Sequence, residues 1–489
     1  MSLFTHSHQL VIGTFGPRVC RIPVHLDVAA LTTHLSATGA TGSGKSRWLA
    51  HLAVSLMMQG EAVTVLDPHG DTARLILATL IDRGVYDDFT AFERITYLDL
   101  PAASRVGRYL PLNILDQPFD TPTTARLVLE ALRRAWPALD NGVAPAFENA
   151  VLAGCSVLIR HQLPLVFLHG LLTDVAWRGA LLKEVTDPTV RGFFQRLDRW
   201  GSREQALYLE STLRRSFLLS FSPVLRYSLG QSENRLGSFR KRMDQGRSLI
   251  VNLALPDPDA RRLLGSFLTV LMEQAALERA DVPAGERGRR HTLIVDEFAD
   301  VSSQSGVALT HILEQCRKFG LGLVLANQSG SQLTERIKSA LGGVGTTVVF
   351  RLGRQDAEEA ARMIGTANPN QVKHEGAAHA AHPLYVPLPE QWEEWTRAIQ
   401  HLRPRQLFVR RLPPTHPLRR RFQARVARLR TPDLPDPQVD PARLAAVEDR
   451  YLREWFEVQP VIEAALAQMR PAARPMTTRR RGKIAPESP

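Results

Sequence analysis

The chain has 489 residues, of which 44% are hydrophobic, and it carries a formal net charge of +12 with a sequence pI near 10.1. This length exceeds one compact domain, and the positive charge favours an anionic partner such as nucleic acid, although a basic enzyme with a solvated surface has the same balance. The sequence shows neither an N-terminal apolar stretch of the kind found in signal peptides nor a run of eighteen apolar residues. We therefore predict a cytoplasmic protein without an intrinsic membrane span.

Short, nearly unbroken apolar runs alternate with helix-like stretches along the chain, the strand-like runs being 62–66, 248–255, 292–295, 321–326 and 346–352. Continuous apolar strands are typical of a parallel sheet that is covered on both faces. Helix-like stretches at 45–59 and 307–319 end at a glycine. The pattern predicts an α/β fold.

The character of the sequence changes in two places. Between about 116 and 245 it is helix-like, with helices predicted at 123–136, 146–160, 189–200 and 205–221. After residue 400 it becomes basic and rich in proline. We predict the following division: a short N-terminal β segment at 1–33, a nucleotide-binding domain split into 34–115 and 246–365, a helical insertion at 116–245, a C-terminal extension at 366–430, and a helical, then disordered basic tail at 431–489.

One motif has the pattern of a phosphate-binding loop, G-x-x-x-x-G-K-[ST]. It comprises Gly39, Ala40, Thr41, Gly42, Ser43, Gly44, Lys45 and Ser46. Its backbone N–H groups and the following helix N-terminus suit phosphate, the Lys45 ammonium can reach the terminal phosphates, and the Ser46 hydroxyl can bind Mg²⁺. A chance match in a glycine-containing loop is the alternative. A helix-like stretch follows directly, as the motif requires, so ATP and Mg²⁺ are the predicted cofactors.

Two further strand ends carry polar residues that suit ATP hydrolysis. The run 292–295 is followed by Asp296, a predicted Mg²⁺ ligand, and by Glu297, which could activate water. The run 321–326 leads to Gln328, which could orient that water or contact the terminal phosphate, although such a residue is often only part of a turn. An acidic pair favours hydrolysis over transfer of phosphate to a bound hydroxyl.

The stretch LDPHGD, residues 66–71, ends another strand with more polar residues than a turn requires. Pro68 and Gly70 shape the turn, and Asp67 and His69 could contact the water shell of the metal or an adjoining subunit. The alternative is a turn in which Asp67 satisfies its own backbone.

Taken together in this order, Gly39–Ser46, 66–71, Asp296–Glu297, 317–318 and Gln328 resemble the HerA/FtsK superfamily of P-loop motor ATPases, and most closely conjugative coupling proteins of the TraD/TraG type and HerA-like translocases. The resemblance covers about residues 30–365. It implies a RecA-like ATPase domain and a homo-hexameric ring with ATP between subunits. An arginine supplied in trans is also implied, for which Arg317, Arg351 and Arg354 are candidates; each could equally be a solvated surface residue.

This resemblance predicts an ATP-dependent DNA translocase that binds DNA largely without sequence preference, in conjugative transfer or DNA processing. A relaxase, a nuclease or a secretion-channel protein would be a further partner and could recruit the chain to a membrane. The alternatives are a secretion or assembly ATPase with protein cargo and a ring scaffold for a separate nuclease or defence effector. Candidate DNA contacts are the basic stretches 239–243, 419–430 and 479–481 and the loop 300–306; each could also be a solvated surface.

Overall fold

The computed structural model describes residues 9–17, 20–136, 145–283, 289–301, 313, 316–333, 335–373, 385–411 and 426–469. The strands are β1 Gln9–Phe15, β2 Ile22–Asp27, β3 Leu35–Thr38, β4 Ala62–Asp67, β5 Ile95–Asp99, β6 Arg108–Tyr109, β7 Ser248–Asn252, β8 His291–Val295, β9 Leu321–Asn327, β10 Thr346–Val349, β11 Gln406–Arg411, β12 Val426–Arg430 and β13 Glu457–Val458.

The α-helices of the first half of the described chain are α1 Lys45–Met58, α2 Asp71–Asp82, α3 Thr90–Arg94, α4 Leu100–Arg105, α5 Thr121–Ala135, α6 Pro145–Arg160, α7 Leu168–Thr173, α8 Val175–Leu182, α9 Pro188–Arg199, α10 Ser202–Phe221, α11 Pro223–Leu229 and α12 Phe239–Asp244. Those of the second half are α13 Pro258–Leu277, α14 Phe298–Val301, α15 Glu335–Gly342, α16 Arg354–Ile364, α17 Leu388–Gln400, α18 Pro441–Trp455 and α19 Gln459–Met469.

The fold is organised around one 11-stranded sheet in the order β2-β1-β12-β11-β10-β3-β9-β8-β4-β7-β5. From β10 to β5 every neighbouring pair is parallel, and from β10 to β2 every pair is antiparallel. The predicted α/β fold is confirmed. The parallel strands β4, β7, β8 and β9 are buried along their whole length, as their apolar sequences require.

Alternate residues of the central strands enter two different hydrophobic cores. On β8, Ile294 packs into the core that contains α1 and α2, while Leu293 and Val295 pack into the core shared with α13 and the helical block 121–229. This follows from the two-residue repeat of a strand. Since sheet and helical block share one buried cluster, the division at residues 116 and 245 stays a prediction.

Several predicted bounds differ from the structure. The predicted strand 248–255 ends at Asn252: the Leu253 N–H makes the last bond to β4, to the Asp67 carbonyl at 2.8 Å, and the chain then turns, with the Leu255 N–H donating to the Leu253 carbonyl at 2.6 Å. Residues 307–312, 314 and 315 of the predicted helix 307–319 lie outside the described residues, and its last turn, Cys316–Phe319, is a 3-10 helix. Of the three cysteines, Cys155 and Cys316 are buried, but Cys20 is exposed.

The segment after β12 crosses the molecule from the P-loop helix to the helical block. Helix α18 lies beside the edge strand β5, β13 pairs with β6, and α19 packs against α11. Tyr451 of α18 is 1% exposed and donates its hydroxyl to the Ile95 carbonyl at 2.7 Å. This helix therefore covers the edge of the sheet.

Among the helices of the described residues, none has by itself the length and apolar composition to cross a bilayer. The bent pair Leu165–Thr173 and Val175–Leu182 reaches this length and apolar composition only when its two helices are taken together, and the angle between them is 111°.

Candidate nucleotide site

The phosphate-binding loop connects β3 to α1 at the carboxyl edge of the sheet. Its backbone is fixed on both sides: the Gly39 N–H donates to the Asn327 carbonyl at 3.1 Å, and the Ala40 N–H donates to the Arg351 carbonyl at 2.9 Å. Asn327 is the last residue of β9 and Arg351 follows β10 by two residues, and these two strands flank β3. The loop is thus held by its neighbours in the sheet before any ligand binds.

Glycines are required at two positions of this loop for different reasons. A Cβ on Gly39 would lie 2.6 Å from Cβ of Phe350 and 2.8 Å from Oγ of Ser43. Gly44 has φ of +100°, a left-handed conformation that glycine adopts without strain. Helix α1 begins immediately after it, and its first N–H groups have no acceptor within the helix. The loop therefore has the geometry that binds phosphate.

Lys45 lies in a buried cluster with the two predicted acidic residues. Its ammonium nitrogen is 3.3 Å from Oδ1 of Asp296 and 3.3 Å from Oε2 of Glu297, and the three residues are 6%, 2% and 3% exposed. Lys45 is 252 positions from Glu297 in sequence, but both residues lie at the carboxyl edge of the sheet. The structure brings together the predicted phosphate-binding lysine, metal ligand and catalytic base.

Glu297 has an unusual backbone and an unusual carboxyl group. Its φ is +60°, which non-glycine residues rarely adopt. Burial raises the pKa of the Glu297 carboxyl, and Lys45 opposes this shift. The Gln328 N–H donates to the carboxylate at 2.9 Å, so the acid is oriented by the strand end that carries the predicted sensor.

Gln328 also contacts the P-loop. The Thr41 hydroxyl donates to Oε1 of Gln328 at 3.1 Å, which joins the loop to the sensor and, through the Gln328 backbone, to Glu297. Thr41 appeared in the sequence only as a variable position of the motif. Only its hydroxyl could have indicated this contact from sequence, and the partner, Gln328, is 287 residues away.

The polar cluster after β4 has a structural role at its first residue. The Asp67 carboxylate is fully buried and accepts from the N–H groups of His69 at 2.9 Å and Ala73 at 2.8 Å, so it closes the turn and orients the start of α2. Burial is the largest cause of its raised pKa, and the nearby Asp296 raises it further. The contacts of the Asp67 carboxylate are those of the self-satisfied turn. A contact with nucleotide or metal water stays a prediction.

The turn after β4 also supplies a residue that sequence reasoning missed. The hydroxyl of Thr72, buried at the start of α2, donates to Oδ2 of Asp296 at 2.9 Å, while Oδ1 of the same carboxylate faces Lys45. Thr72 therefore fixes the orientation of the predicted metal ligand. Its position one residue after the polar cluster was the only sequence signal.

The candidate arginines lie in different environments. The side chain of Arg317 lies outside the described residues. Arg351, two residues after the end of β10, contributes its carbonyl to the P-loop. Arg354 is at the start of α16 and pairs with Glu358 and Glu393, with 56% of its side chain exposed. Neither the Arg351 nor the Arg354 side chain joins the cluster around Lys45, and a role in trans stays a prediction for all three.

Among the predicted DNA contacts, the stretch 239–243 is only partly available. Arg242 is 7% exposed, donates to the Leu236 carbonyl and lies over the Trp455 ring, so it is a core residue rather than a phosphate contact. Lys241 is exposed. Residues 302–306, 419–425 and 479–481 lie outside the described residues.

The donor set suits a magnesium nucleotide. A serine hydroxyl at Ser46 and a carboxylate at Asp296 are oxygen ligands of the type that Mg²⁺ prefers, and the glycine loop and Lys45 supply phosphate contacts. Across the described part of the chain, no cluster of three or more His, Cys, Asp and Glu side chains is arranged to hold a metal by protein ligands alone. A metal bound jointly by protein and phosphate needs no such cluster.

Two family models match separate parts of the chain. Residues 10–100 match the central domain of helicase HerA, and residues 238–383 match the DNA-binding domain of type IV secretion-system coupling proteins. They confirm the predicted resemblance to HerA and to conjugative coupling proteins. A comparison with curated protein sequences gave no significant match.

Solved structures with the same fold include the bacterial conjugative coupling protein TrwB in its unbound form, at 19% identity and a TM-score of 0.59, covering 86% of this chain and 89% of that one. TrwB in complex with ADP and Mg²⁺ is similar at 20% identity and a TM-score of 0.57, with 86% and 90% covered. VirB4 of Thermoanaerobacter pseudethanolicus has 10% identity and a TM-score of 0.51, with 87% and 96% covered.

Proposed function

We propose that this HerA/FtsK-type P-loop ATPase binds ATP with Mg²⁺ and hydrolyses it. The observation that carries the proposal is the buried cluster in which the Lys45 ammonium lies 3.3 Å from both Asp296 and Glu297 at the end of a P-loop. TrwB, which shares the fold, has been solved with ADP and Mg²⁺ and with a non-hydrolysable ATP analogue.

The residues have separate roles in this proposal. Ser46 and Asp296 hold the metal, which neutralises phosphate charge when bound, and Thr72 keeps the Asp296 carboxylate in place. Glu297 accepts the proton of the attacking water, a role for which a raised carboxyl pKa is suited. Lys45 exchanges its two carboxylate contacts for phosphate oxygens when the nucleotide enters.

We also propose that the chain uses ATP hydrolysis to move DNA. The match of residues 238–383 to a coupling-protein DNA-binding domain supports it, as does the net charge of +12. We further propose a homo-hexameric ring in which Arg317, Arg351 or Arg354 of one subunit completes the site of the next. An arginine in that position stabilises the charge that develops on the transferred phosphoryl group.

The first test is ATP hydrolysis by the full chain with and without duplex DNA, beside Glu297→Gln. Strong stimulation by DNA that is lost at high salt and abolished by the substitution is expected. Hydrolysis that does not change with DNA would contradict the translocase proposal. It would favour an ATPase with protein cargo or a ring scaffold for a separate effector. Absence of hydrolysis under all conditions would contradict the ATPase itself.

The role of Thr72 allows a finer test of the metal site. Thr72→Val removes the hydroxyl that donates to Asp296, and we expect hydrolysis to need a higher Mg²⁺ concentration. Thr79→Val is the matched control, because Thr79 is also on α2 but donates to the Leu75 carbonyl within the helix. An equal shift in both variants would indicate a general effect on α2.

A further inference from the structure

The direction in which a nucleotide lies across the P-loop follows from the sheet order. The groups for the terminal phosphate, Glu297 and Gln328, follow β8 and β9 on one side of β3. A phosphate chain bound by the N–H groups of the loop would run along the loop to the first turn of α1. The nucleoside must therefore leave on the opposite side of β3, where β10, β11 and β12 lie.

On that opposite side, two segments distant in sequence reach the P-loop edge of the sheet. Strand β11 is antiparallel to β10, so the residue before its start, Arg405, lies at the same edge as the loop. Strand β12 is antiparallel to β11, so the residues after its end, Thr431–Asp433, lie there as well. The topology thus places both beside the loop.

Direct contacts confirm this placement. The Arg405 N–H donates to the Ser43 carbonyl at 2.9 Å, and a Cβ on Gly44 would lie 3.5 Å from Cγ of Arg405. The Arg405 guanidinium donates to the Pro432 carbonyl at 3.2 Å and pairs with Asp433, which also accepts from Arg21 at 3.2 Å.

The next turn of the segment is fixed to the P-loop helix. Arg47, the residue after Ser46, donates to the Leu434 carbonyl at 2.7 Å and to Asp436 at 2.6 Å. Leu434 itself is buried in the core that contains α1. The segment is therefore held at a constant distance from the loop without a ligand.

The chemistry of Arg405 and Asp433, which we call the nucleoside wall, suits a nucleoside. The side chains of Arg405 and Asp433 remain 36% and 64% exposed despite their contacts. A planar guanidinium held at its edge by a carboxylate leaves its face free to stack on a base. A carboxylate that accepts from two arginines has lone pairs left for ribose hydroxyls.

We propose that the base of the bound nucleoside triphosphate stacks on Arg405 and that its ribose hydroxyls donate to Asp433. The proposal rests on the proposed ATP site and adds the part of the site that recognises the nucleoside. Stacking on a guanidinium face accepts any base, so we expect the nucleoside wall to bind nucleotides with little discrimination between bases.

The test compares ATP with inorganic tripolyphosphate, which has the phosphates but no nucleoside. Affinities of the full chain for each, with Mg²⁺, are measured for wild type, Arg405→Gln and Arg405→Lys. The expected result is an affinity for ATP that falls about tenfold in both variants, with tripolyphosphate changed less than about twofold. Arg405→Lys keeps the charge beside Asp433 but lacks the planar face, so it separates stacking from support of the segment.

Arg403→Gln is the matched control, since Arg403 is an exposed arginine in the same turn. It should change neither affinity. Equal losses for ATP and tripolyphosphate in the Arg405 variants would show that Arg405 only supports the P-loop and would overturn the proposal, as would unchanged affinities for both. Wild type that binds neither ligand would instead contradict the ATP site itself.

Discussion

The contact between α18 and the edge strand β5 gives a prediction for a single hydroxyl group. Tyr451 donates to the Ile95 carbonyl at 2.7 Å and lies 3.1 Å from the Tyr86 hydroxyl. Tyr451→Phe keeps the ring, which packs against Phe92 and Tyr97, and removes only these two hydrogen bonds.

The expected loss follows from the burial of both partners. Tyr451 is 1% exposed and its acceptor belongs to an edge strand that α18 covers, so the carbonyl is left without a donor in the variant. A buried polar group that loses its partner costs about 1–3 kcal/mol. Tyr86→Phe is the control: it removes one of the two bonds but leaves Tyr451 on Ile95, and we expect a loss of about 0.5–1.5 kcal/mol.

The assay is equilibrium urea unfolding. The free energies of unfolding are compared between proteins whose free energy falls equally steeply with urea concentration. Burial raises the pKa of Tyr451, so its hydroxyl stays protonated, and the difference between wild type and variant should be complete below the unfolded pKa of about 10. A Tyr451→Phe variant as stable as wild type, or a Tyr86→Phe variant that loses more, would refute the view that this hydroxyl anchors the helix to the sheet.

Three other variants test the site and its surroundings. Burial raises the pKa of Glu297, so ionisation of its carboxyl at neutral pH costs folding free energy. Glu297→Gln should therefore raise the urea midpoint near pH 7, and this gain should disappear as the pH falls below about 4.3. An equal gain at neutral and at acidic pH would contradict the raised pKa. Gly39→Ala places a Cβ 2.6 Å from Cβ of Phe350 and should lower the free energy of unfolding by more than Gly60→Ala, which has φ of +78° and nothing within 4 Å of the added Cβ and should cost about 1–2 kcal/mol; an equal or smaller loss in Gly39→Ala would argue against the close packing. Arg354→Ala removes exposed ion pairs with Glu358 and Glu393 and should leave the urea midpoint nearly unchanged, so a loss of hydrolysis in this variant would make Arg354 the first candidate for the arginine acting in trans.

The parts of the molecule that were predictable from sequence are those that depend on local pattern. The parallel strands β4, β7, β8, β9 and β10 and helix α1 were predicted because buried strands are continuously apolar and because the P-loop fixes the start of its helix, whereas the parallel strands β3 and β5 were not predicted. The Lys45 cluster was predictable for a second reason. Parallel strands end at one edge of the sheet, so the polar residues after β8 and β9 converge there.

What escaped prediction depends on contacts between distant segments. Strands β1 and β12 pair with Thr14 opposite Arg430, a separation that no local pattern reveals. The contact between Ser43 and Arg405 has the same origin. Within the predicted DNA-contact stretch 239–243, the burial of Arg242 was not predictable, because a basic residue in a helix-like stretch does not show which side of the helix faces the core.

The left-handed backbone of Glu297 limits which side chains this position tolerates. A non-glycine residue in such a conformation costs about 1–3 kcal/mol, and asparagine and aspartate are the side chains that tolerate it best. Glu297→Gln therefore changes the charge while the conformational cost stays nearly constant, whereas asparagine would relax the backbone at the same time. Hence a variant meant to trap the nucleotide-bound state should carry glutamine, and comparison of the two substitutions would separate the electrostatic contribution of this residue from its conformational one.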